Sequence, residues 1–346
     1  MRPSRALALL AAGALAACAV HHRAPDPAPT LPALTASPLP ELTPEASTPT
    51  ASVPIEAPAV STAPALIAPA PVLAPATLAA PETAPLPTPK PRAWGLVAIT
   101  TAVLSPSQLM GSEVPLSPSF MRLPVFPEKL TLDVSWGLLS VGEATMSVDK
   151  IVMFNGRPAY HLVTEARSNA FCDTFYEVRD LNESWLDART LTSLGYSKKL
   201  REGHFIRDEW VLYDRDAGTF VDRRTNKDGS FSVRTGTIPA QVQDILSSVY
   251  FVRAHELPDG GKVIVDVNTP DNWPLVVKVT KRETVKVPER KGPSVLVEPA
   301  MRREGLFIQK GKRLRLWLSD DAERRPLMMK VEVFFGHVTA VLREMI

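Results

Sequence analysis

Two aspartates and two arginines stand close together near the C-terminal end of the chain, in the sequence WLSDDAERRP. Paired carboxylates could bind a metal ion or act in acid–base catalysis, so Asp320 and Asp321 are candidate catalytic residues. Neighbouring side chains on a strand point to opposite faces, however, and charged residues ahead of a proline are typical of a hairpin loop. A solvated turn that also carries Arg324 and Arg325 is therefore favoured over a catalytic site.

A second candidate is the group Asp244, Ser247 and Tyr250, which could form a site centred on the serine hydroxyl. On a helix Asp244 and Ser247 would be neighbours, but no histidine lies within this motif to act as the base. Asp244 is equally well placed to cap the start of a helix. Capping or tertiary hydrogen bonding is the favoured interpretation.

The cysteines and histidines do not suggest a catalytic or metal centre. Cys172, in NAFCDTFYEV, has no evident base beside it, and a free cysteine is most often a small buried hydrophobe. Neither H-x-x-x-H nor H-x-H spacing occurs, and nucleotide-binding glycine motifs and G-x-S-x-G are missing from the sequence. The sequence therefore predicts no catalytic residue, no cofactor and no metal site, and enzymatic activity is favoured only by the Asp320–Arg325 turn. The histidines are His21, His22, His161, His204, His255 and His337.

The remaining residue with a chemical role is Cys18, at the end of an N-terminal apolar run. Arg2 and Arg5 precede twelve uncharged residues, 6–17, and small residues stand before the cysteine. This order is typical of a secretory signal peptide. Twelve residues span roughly 18 Å as a helix, well short of the ~30 Å hydrocarbon core, so the run is expected to be removed rather than to cross the membrane.

The residues Leu15-Ala16-Ala17-Cys18 resemble the lipobox of bacterial lipoproteins. The resemblance implies cleavage between Ala17 and Cys18, a diacylglycerol on the Cys18 thiol and a further acyl chain, such as palmitate, on the new amino terminus. Two or three chains hold a protein firmly on a membrane, whereas one does not. An ordinary signal peptide that happens to end near a cysteine is the alternative. Ala19, where an aspartate retains enterobacterial lipoproteins in the inner membrane, favours the outer membrane with the domain facing the periplasm.

Residues 18–92 are predicted to form a lipidated, disordered linker. From Pro25 to Pro91 the chain is dominated by proline, alanine, threonine and serine. Too few large apolar groups are present to offset the entropy of ordering, and about seventy extended residues could reach on the order of 200 Å. A spacer is favoured over a proline-rich docking ligand. In residues 93–119, a twelve-residue apolar segment that ends at Leu104 precedes the predicted loop SPSQLMGSEVPLSPSF.

Residues 120–346 are predicted to form one β-rich domain. They carry 34 Lys plus Arg against 31 Asp plus Glu, so they show no basic surface of the kind that binds nucleic acid. Apolar residues alternate with polar ones in KLTLDVSW and EATMSVDKIV, and the same pattern recurs in KVIVDVN, LVVKVTKRETVKV, SVLVEPA, RLRLWLSDD and LMMKVEVFFGHVTAVLREM. Turns are expected at Asn155-Gly156, at Asp216–Gly218 and at Asp228-Gly229. The predicted fold is an antiparallel meander that forms a curved sheet or barrel-like layer.

One segment, AQVQDILSSVYFVRAHELPDGG, has helical periodicity instead. Apolar and long side chains recur at intervals of three and four residues, with Asp244, Ser248 and Phe251 on the opposite face. We expect a single amphipathic helix that covers one face or one end of the sheet. The residues assigned to the covered face are Val242, Ile245, Leu246, Val249, Tyr250 and Arg253.

Three ordered stretches resemble the bacterial family called domain of unknown function 3108. They are WGLLSVGEATMSV, QDILSSVYFVRAHELPDGGK and GLFIQKGKRLRLWLSDDAERRPLMMKV with the closing GHVTAVL. The resemblance covers 127–342 and implies an exported, β-rich domain without an established activity.

Two functions from different classes follow from these expectations. The first is an envelope lipoprotein whose curved sheet and helix bind a lipid or another apolar ligand. The second is a structural or assembly protein whose tether presents the domain to an envelope partner, with the sheet filled by its own side chains.

Overall fold

Fifteen antiparallel strands and three helices make up the part of the chain that the computed structural model describes, which is 104–269, 271–288, 290–301, 313–333 and 336–346. The predicted signal peptide, Cys18, the predicted linker and the apolar segment before Leu104 lie outside these residues. The helices are α1 (Pro106–Leu109), α2 (Ala170–Asp173) and α3 (Ile245–Arg253). The strands are β1 (Met110–Val114), β2 (Glu128–Trp136), β3 (Leu139–Phe154), β4 (Arg157–Ser168), β5 (Arg179–Asp187), β6 (Ser193–Glu202), β7 (Phe205–Asp214), β8 (Thr219–Asn226), β9 (Phe231–Thr237), β10 (Lys262–Asn268), β11 (Asn272–Val287), β12 (Arg290–Met301), β13 (Leu314–Ser319), β14 (Pro326–Glu332) and β15 (His337–Met345).

The strands pair as a meander in the order β10-β11-β12-β13-β14-β15-β2-β3-β4-β5-β6-β7-β8-β9. Each strand pairs with the next one in sequence from β2 to β9 and from β10 to β15, and β15 pairs with β2, which brings Val338 opposite Trp136. The predicted antiparallel meander is confirmed. The sheet is open, with β9 and β10 at its ends, and these two strands share no ladder in the described part of the chain.

The end strand β9 nevertheless contacts the turn between β10 and β11 at one point. The Asn272 side-chain amide donates to the Thr237 carbonyl at 2.6 Å, and Arg234 pairs with Asp271 at 2.9 Å. The segment just before α3 also connects the two halves, because Ser193 N–H donates to the Val242 carbonyl and Gln243 N–H to the Asp266 carbonyl. These contacts curve the sheet around α3.

The predicted tight turns have the backbone conformation that their residues favour. Asn155 and Gly156 join β3 to β4 with φ of 48° and 78°, as a type I′ hairpin requires. Gly218 and Gly229 also have positive φ, at 66° and 82°, in the turns after β7 and β8. The local sequence therefore predicted these turns correctly.

The loop predicted for the stretch after Leu104 is wrong, because this stretch contains α1 and β1. The long strand β3 extends beyond the first residue of β2, since Glu128 lies opposite Val148, and β1 pairs with this free edge, Met110 opposite Phe154. Leu109 packs at the same time against a buried cluster that contains Trp185. The exposed sequence MGSEV lacks the alternation of apolar and polar residues that would have indicated a strand. It forms a strand because it pairs with the free edge of β3, which is distant in the sequence.

Helix α3 lies between two hydrophobic clusters and is enclosed on more than one side. Leu246 and Val249 pack against one cluster, whereas Ile245 and Val252 belong to or pack against the other. The predicted helix is confirmed, but Ser248, which we assigned to the uncovered face, is buried. A curved sheet covers more of a helix than a flat layer does, so the amphipathic pattern underestimates how much of α3 is enclosed.

Gly195 in β6 provides a test of close packing between strands. It lies opposite Trp185 with φ of 153°, and a Cβ atom there would stand 2.5 Å from the Val211 carbonyl oxygen. We expect Gly195→Ala to lower the free energy of unfolding by about 1–3 kcal/mol, because the backbone must shift. Gly292→Ala is the control, since its new Cβ would meet nothing closer than 3.5 Å. Equal urea midpoints for the two variants would contradict this expectation.

Candidate functional site

A cavity of about 180 Å³ lies between α3 and the inner face of the curved sheet. Strands β11 to β14 contribute one wall, which is apolar because every second residue of these strands points inward. Helix α3 contributes a second apolar surface through Ile245, Leu246 and Val249. An engineered apolar cavity of about 150 Å³ is large enough to bind benzene, so this volume admits a small apolar group or part of a chain. The apolar strand residues include Leu132, Met146, Leu275, Val277, Val297, Leu316, Leu318 and Met329.

The opposite wall of the cavity, from β4 to β6, is polar. Thr164 pairs with Asn182 across β4 and β5, and Asn182 pairs with Lys198 across β5 and β6, so all three side chains lie on the inner face. Lys198 has only 7% of its surface exposed. Its Nζ lies 3.8 Å from Glu209 Oε1 and 4.7 Å from the centre of the Tyr196 ring, and it makes no hydrogen bond to any described residue. A buried ammonium group with unused donors therefore faces an apolar cavity.

Lys198 belongs to a charged network on the inner face of β6 to β8, formed by Lys198, Glu209, Asp222 and Arg224. Arg224 Nε lies 3.1 Å from Glu209 and 3.5 Å from Asp222. Burial would raise the pKa of Glu209, but Lys198, Arg224 and a 2.9 Å hydrogen bond from Tyr196 Oη hold it below its usual value. Burial and the nearby Glu209 raise the pKa of Asp222 to about 7. The network therefore carries more positive than negative charge near neutral pH.

A second buried acidic pair, Asp180 and Glu202, lies further along the same strands. Burial and the adjacent Asp180 carboxylate raise the pKa of Glu202 to about 8. Asp180 Oδ1 accepts from Arg201 N–H at 2.8 Å, whereas Asp180 Oδ2 and Glu202 Oε1 have no donor among the described residues. A proton on Glu202 supplies the missing donor, so the pair is expected to hold one proton at neutral pH.

Asp244 is the N-cap of α3, as the sequence predicted. Its Oδ1 accepts from the N–H groups of Leu246 and Ser247 at 2.8 and 3.0 Å. Its Oδ2 accepts from the hydroxyls of Ser184 and Ser193, both at 2.6 Å, which fixes the helix against β5 and β6. The carboxylate is fully hydrogen-bonded, and Ser247 completes the capping box. The structure thus assigns this group a positioning role at the cavity rather than a nucleophilic one.

A buried ion pair closes the inner face near the C-terminal end of α3. Arg253 Nη1 and Nη2 donate to the two Glu128 oxygens at 2.7 and 2.8 Å, and both side chains are at most 1% exposed. Arg325 Nε lies 3.3 Å from Glu128, and Arg324 donates to the Arg253 carbonyl at 3.1 Å. Glu128 was not predicted as a partner of Arg253. The position of Arg253 in the apolar stripe of the helix did indicate a buried arginine that needs an acidic partner.

The remaining candidates have structural contacts. Asp320 pairs with Arg282 at 3.0 Å, whereas Asp321 accepts from Ser319 Oγ at 2.6 Å, so the two carboxylates do not converge. Cys172 is only partly buried in α2, not a full core residue as expected, and burial raises the pKa of its thiol. A raised pKa keeps the thiol protonated and unreactive.

The described residues also bear on three other features, which are metal binding, histidine chemistry and membrane crossing. No group of three or more His, Cys, Asp or Glu side chains there is arranged to hold a metal ion. His161 Nε2 lies 3.0 Å from Glu183 Oε1 and stacks on Trp185, on the face where Leu109 of α1 packs. Within the same residues, no helix combines the length and hydropathy needed to cross a bilayer.

The fold and the cavity define a class of protein, a β-meander domain curved around one helix that lines an interior cavity. The chain belongs to the family described as Protein of unknown function (DUF3108), whose model matches residues 131–343. The predicted resemblance over 127–342 is confirmed. A similar solved structure is titled "Crystal Structure of Beta-barrel-like Protein of Domain of Unknown Function DUF1849 from Brucella abortus", with 11% identity, a TM-score of 0.42, and coverage of 65% of this chain and 99% of that chain. No curated protein matches this chain.

Proposed function

We propose that this protein is a membrane-anchored envelope lipoprotein whose periplasmic β domain binds an apolar ligand such as a lipid. The observation that carries the binding proposal is the cavity beside α3, since its walls are mostly apolar and only one side offers polar groups. Binding sites of this kind take an apolar body and orient it by a few polar contacts. The anchor rests on the lipobox and Cys18. Ala19 supports the outer membrane as its location.

Ligand occupancy is tested by extraction. Residues 19–346, secreted behind a cleavable signal peptide and purified without detergent, are expected to release about one apolar molecule per chain into organic solvent. Leu246→Trp fills the cavity from α3 and should reduce this yield several-fold, because the indole takes the ligand's place. Mass spectrometry of the extract measures the yield.

The control for this experiment is Ile264→Trp, at an exposed position of β10 outside the cavity lining. It should release as much ligand as the unmodified chain. Circular dichroism shows that each variant is folded. An unmodified chain that releases no ligand would contradict the binding proposal.

The anchor is tested by Cys18→Ser. This variant should incorporate no labelled fatty acid and should leave the membrane fraction or remain unprocessed, because a hydroxyl cannot take the thioether-linked lipid. Cys172→Ser changes the chain's other cysteine and should be labelled normally. Separation of the two membranes tests the outer-membrane location. Continued acylation of Cys18→Ser would refute the anchor.

One observation favours the second candidate function, a protein that presents its domain to an envelope partner. Phe171 and Phe175 on and beside α2 are 60% and 70% exposed, and Leu138 is fully exposed in the neighbouring β2–β3 turn. Exposed apolar groups held together in this way are typical of contact surfaces. A chain that yields no ligand in the extraction experiment would favour this function.

A further inference from the structure

The two walls of the cavity differ in a way that restricts the ligand, if the proposed binding function is correct. The wall from β11 to β14 and α3 is mostly apolar, whereas the wall from β4 to β6 presents Thr164, Asn182 and Lys198. Asn182 donates to Thr164 Oγ1 at 3.4 Å, but a purely apolar ligand would leave the Lys198 ammonium buried without a hydrogen bond to a described residue, which costs free energy. A ligand with one polar end would satisfy the ammonium.

Lys198 determines the sign of that polar end. Its ammonium group can donate three hydrogen bonds, yet the nearest carboxylate oxygen is 3.8 Å away. Glu209 itself is engaged by Arg224 at 3.1 Å and by Tyr196 Oη at 2.9 Å, so it is not reserved for Lys198. An acceptor oxygen from a ligand would complete the ammonium's contacts.

Two other acidic residues line the cavity, Glu183 and Asp244, and both have partners of their own. Glu183 Oε1 lies 3.0 Å from His161 Nε2, and its Oε2 accepts from Ser197 Oγ at 3.3 Å. Asp244 is 2% exposed, and two hydroxyls and two backbone N–H groups already donate to its oxygens. Of the charged groups that line the cavity, Lys198 is the one without a hydrogen bond to a described residue. The polar wall therefore favours an anion.

We infer that the ligand is an anionic amphiphile, with its acyl chain between α3 and the apolar strands and its carboxylate or phosphate oxygen at Lys198 Nζ. A single anionic oxygen is required, so a free fatty acid and a phospholipid headgroup present the same chemistry. This inference rests on the proposed binding function and adds the charge and orientation of the ligand to it.

Photolabelling tests the inference with the full chain in vesicles of neutral phosphatidylcholine. Three probes carry the same diazirine acyl chain: a fatty acid, a phosphatidic acid and an uncharged fatty alcohol. We expect at least one anionic probe to label the chain about tenfold more than the alcohol, the factor appropriate to one charge-assisted hydrogen bond. Labelled peptides should come from α3 and β11 to β14. The preferred anionic probe identifies the source of the headgroup.

Substitutions then locate the contact. Lys198→Met should reduce anionic labelling to the level of the alcohol and leave alcohol labelling unchanged. Lys199→Met removes the exposed neighbouring charge on the opposite face of β6 and should change neither. If the methionine variant fails to fold, Lys198→Gln takes its place in the same labelling experiment.

The outcomes separate this inference from the proposed function. Equal labelling by anionic and alcohol probes at α3 would overturn the anionic headgroup while leaving an apolar ligand in place. Absence of labelling at α3 by all three probes would overturn the binding function itself. If neither Lys198 variant folds, the comparison of the three probes in the unmodified chain still tests whether the ligand is anionic.

Discussion

Arg253→Met is expected to lower the free energy of unfolding by about 3–5 kcal/mol, the typical cost of removing one partner from a buried ion pair. Glu128 would keep its charge at 1% exposure and lose the two hydrogen bonds of 2.7 and 2.8 Å that Arg253 donates. Arg325 remains near, but its Nε is 3.3 Å away. The variant also loses the guanidinium that stands 5.1 Å from the Tyr250 ring. Urea unfolding followed by tryptophan fluorescence measures the change.

Two further variants show whether the buried charge is the cause. Arg343→Met removes a surface pair with Asp133 and Glu143 and should scarcely move the urea midpoint, because solvent screens exposed charges. The double variant Glu128→Met with Arg253→Met should recover part of the loss, since a buried pair can be replaced by apolar groups of similar volume. A single Arg253→Met variant as stable as Arg343→Met would refute the assigned role of the ion pair.

Stability is expected to fall as the pH rises from 5 to 9. The pKa of Glu202 is about 8 in the folded chain against 4.5 for an ordinary glutamate, and that of Asp222 is about 7 against 3.8. Between these values the folded state binds more protons than the unfolded state, so raising the pH favours unfolding. Each unit of difference corresponds to about 1.4 kcal/mol, so between pH 5 and 9 the loss is about 4 kcal/mol from Glu202 and about 3 kcal/mol from Asp222. The pH dependence of the urea midpoint measures it.

Glu202→Gln isolates the main contributor to this pH dependence. Glutamine keeps a neutral donor beside Asp180 at every pH, so the decline above pH 6 should become much shallower. Glu165→Gln, at an exposed position of β4, is the control and should retain the full decline. A pH profile that Glu202→Gln leaves unchanged would show that the proton is not held by this pair.

Much of the secondary structure followed from local patterns. The alternation in KVIVDVN and RLRLWLSDD correctly indicated β10 and β13, because period-two patterning depends only on residues two positions apart. Asn155-Gly156 indicated its own turn, and Asp244 indicated its own helix cap. The turn at Asp320–Arg325 was also recognisable from its composition.

The cavity and its charges were not predictable in the same way. Lys198 stands in the polar stretch SKKLRE, where nothing distinguishes it from the exposed Lys199. The burial of Lys198 depends on which face of β6 turns toward α3. The curvature of the sheet also depends on long-range pairing, since β15 and β2 bring together residues about two hundred positions apart. Strand β1 was not predicted, because it forms by pairing with the part of β3 that extends past β2, and this edge is distant in the sequence.

The sequence by itself determined most of the strands, several of their turns, the capped helix and the family, because each is encoded by neighbouring residues or by motifs in order. Only the tertiary structure decided that the sheet curves around α3, that Glu128 meets Arg253, and that Lys198 faces an apolar cavity. These features depend on burial and on contacts between distant strands, which local periodicity does not specify.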